Sequence, residues 1–387
     1  MKRPVIAHVL HRLYLAGAEV LAAALSRRLR DRFDFLFLCL DEIGPLGRQL
    51  ASEGFTVIDL HRKPGVDRQV PSRIKRIVRE HDVRLLHAHQ YTPFFYASIS
   101  RGLTGLLRSR PRVLFTEHGR HYPDIRKTKR VFANKLLLRR KDRVTAVGNF
   151  VKQALVTNEG INPRRIEVVY NGIDPRQFTF DATGRTRAAV RSELNIPENQ
   201  PVLLQVARFH PVKDHATAIR AFASALKQGQ WNAGPAPLFV LVGDGDKKDE
   251  MHALVAELKI NDHVRFLGVR SDIPQLMAAA DVFTLSSLSE GVSVTLLESM
   301  GAAVPIAATD VGGNGEVVEA NVTGLLSPRG DHEGLGRNLL TLLTDSALRR
   351  RMGDAGRARL LQRFTEEEMH KRYAAIYEEM LSGERPA

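Results

Sequence analysis

The sequence predicts an α/β protein built from two doubly wound parallel-sheet domains in series. Three observations carry that expectation. Short apolar runs alternate with helical stretches, the second half repeats the plan of the first, and a polar stretch without sustained periodicity separates the halves at residues 172–200. Strand–helix alternation implies parallel strands covered by helices on both faces.

In the first half, residues 5–10, 33–40, 56–60, 83–89, 113–117, 144–147 and 166–170 read as strands. They are short, rich in Val, Ile, Leu and Phe, and bounded by Gly, Pro, Asp or Asn. Helical patterns lie between them, as at 18–30 and 68–80. In the second half the strands are 202–207, 238–242, 264–267, 282–286, 306–309 and 324–326, with helices at 214–227, 248–258 and 296–300. The expected domains are 1–180 and 181–364. A last amphipathic helix over 365–382 sets Met369, Tyr373, Ile376, Tyr377 and Met380 on one side.

A chain of 387 residues accommodates two such domains, and 43% hydrophobic with 26% charged residues is the composition of a soluble globular protein. The single cysteine, Cys39, lies in an apolar run, cannot form an internal disulfide and reads as core packing in a reducing compartment. The apolar run 5–10 is too short for a secretory signal and is followed by His11 and Arg12. No apolar run reaches the ~18 residues of a membrane span. The expected location is cytoplasmic, peripheral on the inner face of the membrane.

The net charge of +14 is uneven. Residues 1–180 hold 34 Lys and Arg against 16 Asp and Glu, a balance of +18, whereas residues 181–387 hold 23 against 27, a balance of −4. The basic first half suits an anionic membrane surface or lipid phosphate. Solvated arginine-rich faces would give the same count. Nucleic acid is not expected as a partner, because the arginines lack interleaved aromatics and no reader motif is present.

Open α/β sheets bind ligands beyond the carboxyl ends of their strands, so the residues after each strand are the candidates. After the first strand comes Ala16-Gly17-Ala18-Glu19. Its small residues let backbone approach an anion at a helix start. Strand 202–207 is followed by Arg208 and Lys213, a planar fork and a point charge suited to a diphosphate. Gly243-Asp244-Gly245-Asp246 lacks the third glycine of a dinucleotide fingerprint and reads as a tight turn. Glu290-Gly291-Val292-Ser293-Val294 opens a fresh helix whose free amides can receive phosphate or sugar oxygens, with Glu298 one to two turns inside it. His87 and His89 share one face of a strand, but no third ligand stands at a convincing spacing, so no metal is expected. His118 before Gly119, at a strand end, is the better candidate.

These residues resemble the family-4 retaining glycosyltransferases of the GT-B fold. The resemblance runs through Ala16-Gly17-Ala18-Glu19, Glu117-His118-Gly119, Tyr170-Asn171-Gly172-Ile173-Asp174, Arg208 with Lys213, Val242-Gly243-Asp244-Gly245, Phe266-Leu267-Gly268, Glu290 with Glu298, and Asp310-Val311-Gly312-Gly313. It implies two Rossmann-like domains facing a cleft, with a nucleotide sugar as donor and substrate rather than cofactor. It implies a glycan, lipid-linked or other envelope acceptor. Arg208 and Lys213 would hold the diphosphate, Glu298 the ribose hydroxyls, and Glu290 with the amides of Gly291, Val292, Ser293 and Val294 the donor sugar. Gly17 would approach the phosphate, His118 would touch the sugar or orient the acceptor, and the base would lie near Val269 and Arg270. Ala16 stands where a second glycine is common. Two other activities remain open on the residues: a glycoside hydrolase using Glu290 and Glu298, and an NAD-dependent oxidoreductase.

Overall fold

The computed structural model describes residues 3–14, 17–102, 111–119, 124–179, 184–231 and 234–382. Its contacts divide the chain into two compact units, Met1–Asn171 with Glu367–Ala387, and Gly172–Glu366.

The first unit holds β1 (Val5–Arg12), β2 (Asp34–Glu42), β3 (Thr56–Asp59), β4 (Val83–His89), β5 (Arg112–Glu117), β6 (Arg143–Ala146) and β7 (Ile166–Val168). The sheet order is β3-β2-β1-β4-β5-β6-β7, and neighbours pair in parallel throughout. The second unit holds β8 (Val202–Val206), β9 (Leu238–Val242), β10 (Val264–Phe266), β11 (Val282–Leu285), β12 (Ile306–Thr309) and β13 (Gly324–Ser327). Its order, β10-β9-β8-β11-β12-β13, repeats the same winding, again all parallel. In each sheet the winding reverses beside the first strand, between β1 and β4 and between β8 and β11. Ligands of open α/β sheets bind beyond the strands at such a point.

All thirteen expected strands are present, with ends displaced by at most two residues. Burial on both faces explains their legibility: Phe35 through Leu40 on β2 are all buried, Cys39 among them. Burial, with Asp59 and Asp41 nearby, pushes the Cys39 thiol up to about 12, so it is inert packing. Helix Val70–Glu80 buries Val70, Ile74 and Ile77 at helical spacing and turns Arg73, Lys75, Arg76 and Arg79 away from that stripe. Helix Tyr91–Ser100 buries Pro93, Phe94, Tyr96 and Ala97. It is apolar almost all round and so shows no amphipathic period.

The units meet in sequence at 171/172 and 366/367, upstream and downstream of the expected 180/181 and 364/365. The reason is local packing. Ile173 and Phe178 are buried in the second unit, Ile173 N donates to Phe364 O at 3.1 Å, and Glu366 N donates to Ile173 O at 2.8 Å. Gly172 is needed there, because a Cβ would stand 2.2 Å from Thr365 O. The last helix, Glu366–Ser382, buries Met369, Tyr373, Ile376, Tyr377 and Met380, and the Tyr377 hydroxyl is 2.7 Å from His87 Nδ1 in the first unit.

Candidate functional site

In the second unit, β8 and β11 are neighbours, with Val282 opposite Leu203 and Phe283 opposite Leu204. Their outgoing loops are therefore side by side, and hydrogen bonds join them. Leu288 N donates to Val212 O at 2.8 Å, and Ser286 Oγ donates to Asp214 O at 2.7 Å. Asp214 then caps helix His215–Gln228, accepting from Thr217 N at 3.4 Å and Thr217 Oγ1 at 2.7 Å. The result is one ledge carrying Arg208, Lys213 and Glu290.

On that ledge Lys213 Nζ lies 2.5 Å from Glu290 Oε1, and Ser287 Oγ donates to the same oxygen at 2.5 Å. Sequence reasoning flagged Lys213 and Glu290 separately and gave Lys213 to a diphosphate. The structure also pairs the two with each other, and Arg208 on the same ledge is exposed and has no ion pair among the described residues. Gly243 and Gly245 press against the backbone of the Arg208 loop. Their φ values are +139° and +149°, and a Cβ on each would stand 2.1 Å from Ala207 O and 2.5 Å from Phe209 O. The turn read from Gly243-Asp244-Gly245-Asp246 thus fixes the path of residues 207–209.

Glycines 312 and 313 do the same for the next loop. A Cβ on Gly312 would stand 1.9 Å from Glu290 O, and one on Gly313 would stand 2.0 Å from Gly291 O. Val292 and Ser293 are buried, and helix Val294–Gly301 begins without a side-chain cap, Ser293 Oγ lying instead 3.0 Å from Thr295 Oγ1. First-turn amides without a side-chain acceptor suit an anion or a sugar hydroxyl. Glu298 is the fifth residue of this helix. It is partly buried, its carboxylate makes no hydrogen bond among the described residues, and burial pushes that carboxyl up to about 7.

Val269 is 78% exposed, and Arg270 is occupied by neighbours: Asp272 at 2.8 and 2.6 Å, and Glu193 at 2.9 Å. Those hydrogen bonds raise the guanidinium above its ordinary value. Its side chain is committed within the protein, which leaves backbone groups there to meet a ligand.

In the first unit, Gly17 is the exposed first residue of helix Gly17–Leu29, while Leu15, Ala16, Arg120 and His121 lie outside the described residues. His118 follows β5. Its Nε2 is 2.8 Å from His89 Nδ1, and His89 Nε2 is 2.8 Å from His8 Nδ1. His87 meets the Tyr377 hydroxyl and, at 2.7 Å through Nε2, Thr116 Oγ1. Burial lowers all four imidazoles, His8 to about 3 and His118 to about 4. His8 is the residue sequence reasoning missed, and it supplies the third nitrogen that His87 and His89 lacked: the three stand within 4.8 Å of one another. Both His87 nitrogens are already hydrogen-bonded, and the His87 and His89 rings lie one over the other with centroids 4.2 Å apart. The four histidines thus form one hydrogen-bonded and stacked array.

Comparison with known proteins agrees with this architecture. A glycosyltransferase from Rickettsia africae superimposes with TM-score 0.85 at 20% identity, covering 98% of this chain and 99% of that one. An Anabaena protein solved in complex with UDP and glucose gives 0.81 at 23% identity, covering 96% and 99%. The two Rossmann-like sheets, with these neighbours, define a GT-B fold. Residues 15–177 match the Glycosyltransferase Family 4 model and residues 186–359 the Glycosyl transferases group 1 model. The chain is 28% identical over 327 residues to N-acetyl-alpha-D-glucosaminyl L-malate synthase of Bacillus anthracis, covering 83% of this chain and 81% of that protein. It is 25% identical over 358 residues to the UDP-Gal:alpha-D-GlcNAc-diphosphoundecaprenol alpha-1,3-galactosyltransferase of Escherichia coli, covering 89% of each. The chain belongs to glycosyltransferase family 4. That membership sets aside the hydrolase and oxidoreductase readings.

Proposed function

We propose that the chain moves a sugar from a nucleotide diphosphate donor to a glycan or lipid-linked acceptor, with retention at the anomeric carbon and without a metal ion. The observation that carries this is the ledge beyond β8 and β11, where an exposed guanidinium, an ammonium held by one carboxylate, and the helix bearing Glu298, which starts without a side-chain cap, occur together.

The hard step is breaking the bond between the anomeric carbon and the diphosphate oxygen. Negative charge gathers on the leaving diphosphate while the sugar becomes oxocarbenium-like. Arg208 and Lys213 oppose that charge, and one such preorganised donor contributes about 3–4 kcal/mol. Lys213 brings its partner with it, so Glu290 aligns the ammonium and lies beside the sugar. The acceptor hydroxyl bonds to the anomeric carbon from the side the diphosphate leaves, and its proton passes to a diphosphate oxygen. Glu298, short of partners, accepts ribose hydroxyls. Two fixed cations take the charge that a divalent ion would otherwise neutralise.

A lipid-linked acceptor is supported by the Escherichia coli relative, whose name specifies UDP-Gal and a diphosphoundecaprenol substrate. It is also supported by one surface of the first unit. Helix Thr128–Leu137 and the residues flanking it expose Ile125 (66%), Phe132 (66%) and Leu136 (62%) among Lys127, Lys129, Lys135 and Arg140, and no acidic residue occurs from 125 to 141. Apolar side chains set among cations suit the interface of an anionic bilayer, at about 1 kcal/mol per Lys or Arg. No helix among the described residues is long and apolar enough to cross a membrane. The reading is of a peripheral protein on the cytoplasmic face.

A panel of UDP, GDP and ADP sugars tests the donor directly. One of them is expected to raise the melting temperature and to be slowly hydrolysed without acceptor. A panel in which none does either would remove the reading.

A further inference from the structure

At the carboxyl end of the first sheet, three chain segments meet around one carboxylate. His11 is the last residue but one of β1, Asp41 the last but one of β2, and Arg62 lies just past β3. His11 Nδ1 is 3.0 Å from Asp41 Oδ2, and Arg62 Nε donates to Asp41 Oδ1 at 2.7 Å. Arg62 is itself fixed, its backbone N donating to Leu40 O at 2.7 Å and its Nη1 to Gly65 O at 3.2 Å.

A break in register makes this cluster. Leu10 stands opposite Cys39 but Arg12 opposite Glu42, so β2 carries one extra residue there. In unbroken register Asp41 would stand opposite Arg12, on the other face of the sheet from His11. The extra residue turns Asp41 onto His11, as bulges beside active sites re-aim side chains.

The carboxylate in turn fixes the imidazole. Burial works to raise the Asp41 carboxyl, but hydrogen bonds from Arg62 and His11 outweigh it and hold it below its ordinary value. An ionised carboxylate only accepts, so a neutral His11 carries its proton on Nδ1 and keeps a lone pair on Nε2. Nothing in the described protein uses that lone pair. Nε2 bonds no described residue, and it is not sealed from water as His8 Nε2 and His118 Nδ1 are. The His11 side chain is 30% exposed. It also stands on β1, one of the two strands flanking the reversal of winding, beyond whose carboxyl ends ligands of open sheets bind.

We propose that His11 is an acceptor-contacting residue: Asp41, steadied by Arg62, presents the bare Nε2 to a non-reacting hydroxyl of the sugar acceptor and so selects which hydroxyl pattern docks on the first unit. This rests on the reading of the chain as a sugar-transferring enzyme with its acceptor on that unit. The reacting hydroxyl keeps its own route, since its proton passes to a diphosphate oxygen.

Asp41→Asn separates orientation from packing. Arg62 keeps the amide oxygen on its side, which turns the amide NH2 towards His11 and forces the His11 proton onto Nε2. Protein labelled with 15N-histidine is examined at pH 8 by long-range 1H–15N correlation, with His11→Gln to assign the signals. Wild-type His11 is expected to be protonated on Nδ1, and Asp41→Asn to be protonated on Nε2. The wild-type Nε2 signal is then followed as methyl α-glycosides of glucose, galactose and N-acetylglucosamine, and decyl diphospho-N-acetylglucosamine, are added with UDP. At least one is expected to move it, and that compound serves as acceptor in the kinetics. Asp41→Asn and His11→Leu should each raise its KM ~10-fold with kcat within ~2-fold, and His11→Gln, whose amide oxygen stands near the former Nε2, should recover most of the loss.

A wild-type His11 protonated on Nε2, a tautomer unchanged in Asp41→Asn, or an Nε2 signal indifferent to every compound overturns the proposal. So does a fall in kcat at constant KM, which would make His11 a base. Any of these results beside continued hydrolysis of a nucleotide sugar leaves the donor reading standing, whereas a failed donor panel removes that reading and not the tautomer.

Discussion

Replacing Glu298 by Gln should make the unliganded protein more stable at alkaline pH and worse at binding its donor. The carboxyl sits at about 7 in the folded protein against 4.5 when unperturbed, and loss of water contact is the cause. A carboxyl whose folded value is raised stabilises the fold below pH 4.5, and that stabilisation is lost as pH rises through 7. The displacement corresponds to about 3 kcal/mol at ~1.4 kcal/mol per pH unit, and partial exposure of the side chain brings it nearer 2. Between pH 5 and pH 8.5 the wild type should therefore fall by roughly 4–12 °C in melting temperature relative to Glu298→Gln. Taking the difference between the two proteins removes titrations they share. Ligand hydroxyls donate best to the ionised form, so donor affinity in the wild type should rise over the same interval and the variant should show no such rise. Thermal scans at five pH values, with and without nucleotide sugar, measure both. Superimposable pH–stability curves for the two proteins would mean that Glu298 is hydrated or partnered, and the reasoning would fail.

Arg208→Ala and Lys213→Ala should each lower turnover ~10²-fold or more while leaving the fold intact by circular dichroism; near-normal rates in either would remove the diphosphate assignment. Activity should survive exhaustive chelation, and a loss restored by magnesium would refute metal independence. Gly312→Ala should cost at least ~2 kcal/mol of stability and most of the activity, because φ is +57° and the new Cβ would meet Glu290 O; a wild-type melting temperature and rate would show that the loops are not packed as described. Phe132→Ser with Leu136→Ser should weaken flotation with anionic vesicles, and wild-type flotation that ignores both lipid charge and salt would count against membrane docking.

The strands were legible because two-sided burial writes each of them as an unbroken apolar run. The same uniformity hid helix Tyr91–Ser100, whose burial leaves no polar face to set a period. Helix Ser346–Arg363 was hidden for the opposite reason: it buries only Met352, Gly353, Gly356 and Leu360 in eighteen residues. The site was legible as residue types but not as pairs. Lys213 and Glu290 lie 77 positions apart, and only the adjacency of β8 and β11 brings them together. His8 needed the register that sets it opposite His87. The seam between the units was obscured because Ile173 and Phe178, which tie 172–179 to the second unit, sit in an otherwise polar stretch.

Where Gly312 and Gly313 lie on Glu290 and Gly291, peptide planes touch with no side chain between them. A floor made of main chain has nothing for a point substitution to enlarge, shrink or recharge. Libraries randomised at 312 and 313 should thus yield misfolded protein and no altered preferences. Any retuning toward a different sugar has to enter from the rim, through residues whose side chains border that floor, such as Val294 and Thr295.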